Sequence, residues 1–564
     1  MKHIIGIDLG TTNTSAAFFH RKEVILIPNS RGSRITPSAV SVDKNGGILV
    51  GESAKNQALI NGDSTVLNAK RYMGTDHIFE INGKGYSPQE ISSYILKSIK
   101  KDSEQFLGES ITEAVITVPA YFNERQRKHT IEAGRLAGLH VRKIINEPTA
   151  SALIYGDRKN EDRTLVVYDL GGGTFDVSLL RKEGNRFIVM ATNGESSIGG
   201  IDFDELLYKR VVDFFTSQTG IDINEDKILV QHLRNRVEQA KIELSTRESA
   251  QISIPFISTG CHPVHLSYTI TREQFNGMIN PLVERTMRLL EKTLKDSNLK
   301  NTSVDNLVLS GGSSRIPLIK ETLSRRFGFS FEKQVNPEES VALGAAYQGY
   351  LISNGQKSIE IQDVTSHSLG VEIDDGTFIP IIKKNSLLPS IEFKTFTTVA
   401  DNQRSVEIKI LEGENSRASY NSPYGRFLLS GIRQGRKGDP RIRVAFKVDN
   451  DGLLHVKAKD LDTGIRQNII FTSSVRDSGS RNEEEEKFIL EKRVNSLINR
   501  VNGLNCLLPL SYDHDFQFEI REVLSGAKNS LYEKNYDDLW ESKMSLESIV
   551  AELNALLDAE GQAV

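Results

Sequence analysis

The feature that most constrains this chain is a duplication. Ile4-Ile-Gly-Ile-Asp8-Leu-Gly10-Thr11-Thr12-Asn13 runs from an apolar strand into a carboxylate, a small turn and hydroxyls. Val166-Val-Tyr-Asp169-Leu-Gly171-Gly172-Gly173-Thr174-Phe-Asp176 repeats that order, and apolar residues resume after both copies. A strand-end Asp before a turn with little side-chain bulk lets backbone N–H groups close on a phosphate. The carboxylate then holds Mg²⁺ through water. A third turn, Ser310-Gly311-Gly312-Ser313-Ser314-Arg315, follows the apolar Leu307-Val-Leu309. Together the three loops indicate a nucleotide held between two similar lobes. No Gly-x-x-x-x-Gly-Lys-Ser/Thr string occurs, which excludes a P-loop.

At 564 residues the chain exceeds one hydrophobic core, and about three or four domains are expected. With 26% charged residues and a net charge of −4, neither a nucleic-acid partner nor a membrane surface is expected. Cys261 and Cys506 lie far apart, which suggests a reducing compartment, not a disulfide framework. No apolar run reaches membrane-span length, and Ile4–Ile7 meets Asp8 too soon for a signal peptide. A cytoplasmic location is therefore the expectation. Cys261-His-Pro-Val-His265 mimics a metal site, but Pro263 interrupts it and no second cluster follows, so zinc is not expected.

The hydrophobic period changes twice. Up to about residue 355 strands alternate with helical patterns, as in α/β domains: Ala114–Val118 reads as a strand, and Asn123–Ala137, Glu205–Thr216 and Pro281–Asp296 as helices. Residues 353–366 read as a connector. Strict alternation follows, with Val406, Ile408 and Ile410, then Ile442, Val444, Phe446 and Val448. The turns Asp449–Gly452 and Asp460–Gly464 complete the signature of an antiparallel β-domain with one buried face. After about residue 476 a hinge at Ser478–Ser480 leads to an acidic helix start at Glu483–Glu486. Leu490, Val494, Leu497, Ile498 and Val501 keep helical spacing, and Gly503 and Pro509 are expected to break the run. Phe516, Ile520, Val523, Leu524, Ala527 and Leu531 form a second helix, and Leu546–Leu557 belongs to a third.

This order of parts resembles the DnaK-type chaperones, the seventy-kilodalton heat-shock family. The strings that carry the likeness are Gly6–Asn13, Asn146-Glu-Pro-Thr-Ala-Ser-Ala152, Asp169–Asp176, Gly199-Gly-Ile-Asp-Phe-Asp204 and Asn336-Pro-Glu-Glu-Ser-Val-Ala-Leu-Gly-Ala-Ala346. The resemblance implies an actin-like, two-lobed α/β ATPase domain over 1–355 and a linker over 356–366. It further implies a peptide-binding antiparallel β-sandwich over 367–476 and a shortened helical lid over 477–564. It implies ATP/ADP and Mg²⁺ as ligands, with client polypeptides, a J-domain co-chaperone and a possible nucleotide-exchange factor as partners.

Residue roles follow from the same resemblance. Asp8 and Asp169 suit hydrated Mg²⁺; Gly10, Thr11, Thr12, Asn13, Gly171, Gly172 and Gly173 suit the phosphates. Lys70 is implied as the cation beside the γ-phosphate and attacking water, with Glu147, Thr174 and Asp176 completing the catalytic group. Gly199, Gly200, Glu238, Lys241, Ser245, Gly311, Gly312, Ser313, Arg315 and Glu338 are implied around the nucleotide, Arg315 stacking on adenine. By plainer readings, Glu238 and Lys241 form a surface helix pair and Gly199-Gly200 a tight turn. Val371, Phe396, Val399, Val406 and Ile408 are implied as the peptide pocket, against the alternative of ordinary sandwich core. Pro119, Arg127, Asn146, Thr149 and Asp363 are implied in interdomain coupling.

The chain departs from the family's pattern in places. The usual leucine-rich linker reads Ile359-Glu-Ile-Gln362, so weaker docking is expected, and Thr-Pro-Leu becomes Thr365-Ser366-His367. Asp374 stands where a Met arches over bound peptide, opposite Val399, and the tail is short. These features resemble the HscC-type branch and imply specialised clients. Two rivals are an actin-fold small-molecule kinase, which leaves the β-domain unexplained, and a non-hydrolysing exchange factor, against which Lys70, Glu147 and Thr174 argue.

Overall fold

Each repeated loop joins two antiparallel strands. In the first lobe Ile5–Leu9 pairs antiparallel with Asn13–His20 and parallel with Glu113–Val118, and His140–Asn146 and Glu23–Ile27 complete the row. In the second lobe Arg163–Leu170 pairs antiparallel with Phe175–Glu183 and parallel with Asn306–Ser310, and Arg186–Glu195 extends the sheet. The sequence repeat is thus a repeat of topology. Asp8 and Asp169 each stand one residue before the end of the central strand. The strands bury Ile5, Ile7 and Leu9 in one core and Val166, Tyr168 and Leu170 in the other.

The computed structural model describes residues 3–21, 23–156, 162–257, 263–297, 304–332, 336–354, 360–464, 466–470, 483–505 and 514–534, with positions 542, 545, 546, 549, 550 and 553. It divides into two units, Met1–Ser473 and Ser474–Val564. The Cys261 motif, the Ser478–Ser480 hinge, Cys506 and Pro509 lie outside the described residues, apart from Pro263, Val264 and His265.

Helices Glu147–Gly156 and Ser340–Ser353 pack closely on each other. A Cβ on Gly344 would fall on the backbone of Ala150, and one on Gly6 on Ala345–Ala346. The Pro-Thr-Ala-Ser-Ala and Ala-Leu-Gly-Ala-Ala strings are therefore close-approach surfaces, where small residues let backbones touch.

Other elements refine the pattern-based bounds. Asn123 caps Glu124–Leu136 through a capping box with Gln126. The helix expected from Pro281 begins at Arg272, where Thr271 and Gln274 form another capping box, and Pro281 lies inside it. Phe275, Ile279, Val283, Met287, Leu290 and Leu294 carry one buried stripe through the proline, so packing overrides the local breaker. The Glu205–Thr216 segment lies within a longer helix, Gly200–Thr219.

The connector holds a short strand. Glu360–Gln362 adds in parallel to the edge strand Arg186–Glu195, with Ile361 opposite Phe187. Glu360, expected to weaken docking, pairs with Arg186 Nε at 3.0 Å on the outside, while Ile361 packs inward. Exposed pairs contribute little, so Ile361 and the backbone bonds supply most of the attachment.

The β-domain is a sandwich of two four-stranded antiparallel sheets. One orders Phe378–Ile382, Leu369–Glu372, Ser405–Glu412 and Ser422–Ser430; the other Ser390–Phe396, Ile442–Val448, Leu454–Asp460 and Arg466–Ile470. Ile408, Ile410, Ile442, Val444, Phe446 and Val448 are buried between them, as the alternation requires.

The second unit holds helices Glu483–Asn505 and His514–Glu533. Val494, Ile498, Val501, Ile520, Leu524 and Ala527 pack with Leu546, Ile549, Val550 and Leu553. Gly503, expected to break the first helix, lies within its last turn, because a single glycine costs a helix end only about 1 kcal/mol.

Candidate active site

The glycine loops meet. A Cβ on Gly173 would lie 2.6 Å from the Thr11 side chain, and one on Gly172 would collide with the Thr12 hydroxyl. Only bare backbone lets the two copies approach this closely. The Gly171–Gly173 loop is held from behind: Gly200 N–H donates to Gly171 O at 3.0 Å and Ile201 N–H to Gly172 O at 2.9 Å. The N–H of Gly200 is thus committed to the loop, so this glycine supports the loop instead of offering its amide to a ligand. Ser313 Oγ also donates to Gly171 O, at 2.9 Å. Gly311, at φ +78°, adopts a left-handed conformation against the Leu170 carbonyl that favours glycine. At the first loop, Ser38 Oγ donates to Gly10 O at 2.8 Å, and Asn13 is exposed at the start of its strand.

Around this junction lie four carboxylates and one lysine. Lys70, Glu147, Asp169 and Asp176 are buried, and Lys70 Nζ lies 2.6 Å from Glu147 Oε1. Thr117 Oγ1 donates to Asp8 at 3.2 Å, Ser310 Oγ to Asp169 at 3.1 Å, and the Tyr121 N–H to Asp176 at 3.0 Å. Burial, then repulsion from Glu147, pushes the Asp8 carboxyl up to about 7. Burial and Glu147 push Asp176 up to about 8. Asp169 is raised well above its ordinary value by burial, then by Glu147, Asp176 and Asp8. Asp8 and Asp169, from different lobes, therefore face the same cleft.

The donor set fits a magnesium–triphosphate. The carboxylates outnumber the cation, and the buried Thr12 hydroxyl has no partner. Thr174 likewise makes no side-chain hydrogen bond among the described residues. No three His, Cys, Asp or Glu side chains among the described residues converge to hold a metal ion by themselves. Such a set suits a metal whose remaining ligands are water and phosphate oxygens.

The residues assigned to the nucleoside have protein partners. Glu238 and Lys241 do not pair with each other: Lys55 reaches Glu238 at 2.7 Å, and Lys241 reaches Asp204 at 2.6 Å and Gly200 O at 3.1 Å. Ser245 caps the C-terminus of helix Lys227–Leu244. Arg315, on the third loop, donates to Asn336 at 2.5 Å and Glu338 at 3.3 Å, which ties its guanidinium to the turn before helix Ser340–Ser353.

The residues assigned to coupling come together. Arg127, buried, donates to Asn146 at 2.7 Å and to the Phe122 and Ala120 carbonyls, and the Pro119 carbonyl accepts from Phe122 N–H. Asn146 and Thr149 donate to Asp363 at 2.8 and 3.1 Å. Sequence reasoning missed their neighbours. Leu454 N–H donates to Glu124 at 3.1 Å, Lys384 donates to Asn193 at 2.7 Å, and His367, 3.1 Å from Glu412, packs on Tyr121 at 4.0 Å. The signal for His367 was its place in the altered Thr365-Ser366-His367 string; Glu124 and Lys384 stand in no motif of the sequence.

Of the expected pocket residues, Val371 and Ile408 are buried in the sandwich core, and Phe396 and Val406 pack against it. Val399 is 46% exposed, outside that core. Asp374 is exposed in the turn between Leu369–Glu372 and Phe378–Ile382.

A cleft between two lobes of repeated topology, lined by acids, one lysine and bare-backbone loops and followed by a β-sandwich, is consistent with the class of two-lobed nucleotide-binding domains joined to a sandwich domain. A family model described as Hsp70 protein (HSP70) matches residues 4–82 and 76–564, and the chain belongs to the Hsp70 family. Membership makes it an ATP-dependent chaperone in general terms; proteins of this family bind ATP/ADP with Mg²⁺ and client polypeptides and typically work with J-domain co-chaperones. Among the described residues no helix is long and apolar enough to cross a membrane.

Proposed function

We propose that this chain hydrolyses ATP at the junction of its repeated loops and uses the cycle to grip and release specialised clients. The observation that carries the reading is the convergence of Asp8, Lys70, Glu147, Asp169 and Asp176 on one cleft floored by Gly171–Gly173 and Thr11–Thr12. Asp8 and Asp169 would hold Mg²⁺ through water, and the metal would supply charge neutralisation at the phosphates. Lys70, fixed by Glu147, offers positive charge to the transferred phosphoryl group; Glu147 and Asp176 orient the attacking water and accept its proton. The Thr11, Thr12 and Thr174 hydroxyls and the loop amides position the phosphates. Arg315, Glu238, Lys241 and Ser245 would line the nucleoside.

On this reading residues 1–355 form the ATPase domain, 356–366 the linker, 367–476 the client-binding sandwich and 477–564 a short lid, as in the HscC-type branch. Val371, Phe396, Val399, Val406 and Ile408 would shape the client pocket, and Asp374 would narrow the client range. Pro119, Arg127, Asn146, Thr149 and Asp363 would transmit nucleotide state to the sandwich. A cytoplasmic site of action, a J-domain partner and an exchange factor complete the proposal.

Single-turnover hydrolysis on the full chain tests it. Lys70→Ala should retain ATP binding and lose hydrolysis by about 100-fold or more. Unchanged turnover in this variant would remove Lys70 from the catalytic group, and absence of ATP binding by the parent protein would end the reading.

A further inference from the structure

The residue after Lys70 reaches across the cleft. Lys70 and Arg71 belong to a short 3₁₀ turn, Ala69–Tyr72, entered through Asn68 at φ 58°. Lys70 stays in its own lobe, on Glu147. Arg71 spans to the second lobe, where its Nη1 and Nη2 donate to Asp202 Oδ1 and Oδ2 at 3.2 and 2.5 Å, and its Nη2 also donates to Gly173 O at 3.1 Å. Asp202 lies in the first turn of helix Gly200–Thr219, the helix whose Gly200 and Ile201 amides hold the Gly171 and Gly172 carbonyls.

Among the described residues two other ion pairs cross between the lobes, Lys55–Glu238 at 2.7 Å and Lys227–Asp63 at 2.8 Å. The second is about three-quarters exposed on both sides and holds little. Arg71–Asp202 differs in kind. Its burial, about three-quarters on both sides, matches that of Lys55–Glu238, but its pairing is two-pronged and a carbonyl of the phosphate-facing loop shares the guanidinium. A planar fork suits this geometry and a lysine does not. Arg71 Nε is buried without a partner, so the group is held wholly through its two terminal nitrogens.

We propose that Arg71 is a positioning residue for the ATPase site: by fastening Gly173 and Asp202 to the turn that carries Lys70, it sets the seating of the phosphate loop and the rate of nucleotide release. The cleft cannot open without separating this pair, because its members belong to opposite lobes. One backbone step joins Lys70 and Arg71, so loop and lysine are brought into register by the same turn. The inference rests on the ATPase reading above.

The test uses the full chain with Mg²⁺ and a fluorescent ADP derivative, following dissociation by stopped flow and ATP hydrolysis by single turnover. Arg71→Ala should speed ADP release by about tenfold or more and slow hydrolysis, with Arg71→Lys recovering only part of the loss. Asp202→Asn should give a similar acceleration, and the double variant should add little to either. Exchange of the charges, Arg71→Asp with Asp202→Arg, should bring release back toward the parent rate. Parent-like release in both single variants, or effects that simply multiply in the double variant, would overturn the proposal while leaving the ATPase reading intact. A parent protein that does not bind the ADP derivative would overturn both.

Discussion

At the scale of single residues, the cleft gathers buried acids at a cost in stability. Asp176 is almost wholly buried beside Glu147, and burial followed by that repulsion raises its carboxyl to about 8. Asp176→Asn keeps an acceptor for the Tyr121 N–H and removes the clash. We expect it to stabilise the nucleotide-free protein by about 1–2 kcal/mol in chemical denaturation while lowering single-turnover hydrolysis sharply. A destabilised variant would show that Asp176 is a structural acid and not one retained for function. Residue identity was legible where chemistry is local. Asp8, Asp169 and the glycines announce themselves through their immediate neighbours, whereas Arg71 and Asp202 meet across 131 positions and leave no local trace. Glu238 and Lys241 show the converse: helical spacing made them look paired, yet each finds a stronger partner outside its own helix.

At the scale of elements, glycine and alanine decide how closely pieces approach. Gly344→Ala would set a methyl group on the Ala150 carbonyl, forcing apart two helices that pack against both lobes. A loss of about 2–3 kcal/mol is expected in urea unfolding, and a neutral result would mean that the helices shift freely. The strand and sandwich patterns were readable because period two survives wherever one face is buried. Helix bounds were less so: Pro281 looked like a start, and only the buried stripe from Phe275 to Leu294 shows it to be interior. The linker strand was hidden by Glu360, since a charge within three residues masks a single inward Ile361.

At the scale of the whole molecule, the ATPase lobes and sandwich meet through ionisable groups. Burial raises Glu124 to about 7, where Leu454 and Glu412 of the sandwich face it together with Lys128. Burial, then Lys292, lowers Lys384 to about 8, near Glu414, Asp296, Asn193 and the Tyr121 ring. A raised carboxyl favours docking at low pH and loses that support as pH rises through about 7. A lowered ammonium opposes docking until pH climbs past about 8, and the opposition then fades. Docking should therefore be weakest between about 7 and 8, measurable by fluorescence energy transfer between labels on lobe and sandwich. Glu124→Gln should flatten the acid limb; an unchanged profile would show that Glu124 does not titrate with docking. The attachment of Glu360–Gln362 has one more outcome. Were those residues to leave, Arg186, Phe187 and Ile188 would keep a vacant row of main-chain donors and acceptors along the sheet margin, open to any stretched segment of matching length. The tether would thus double as a stopper, its brevity limiting what could take its place.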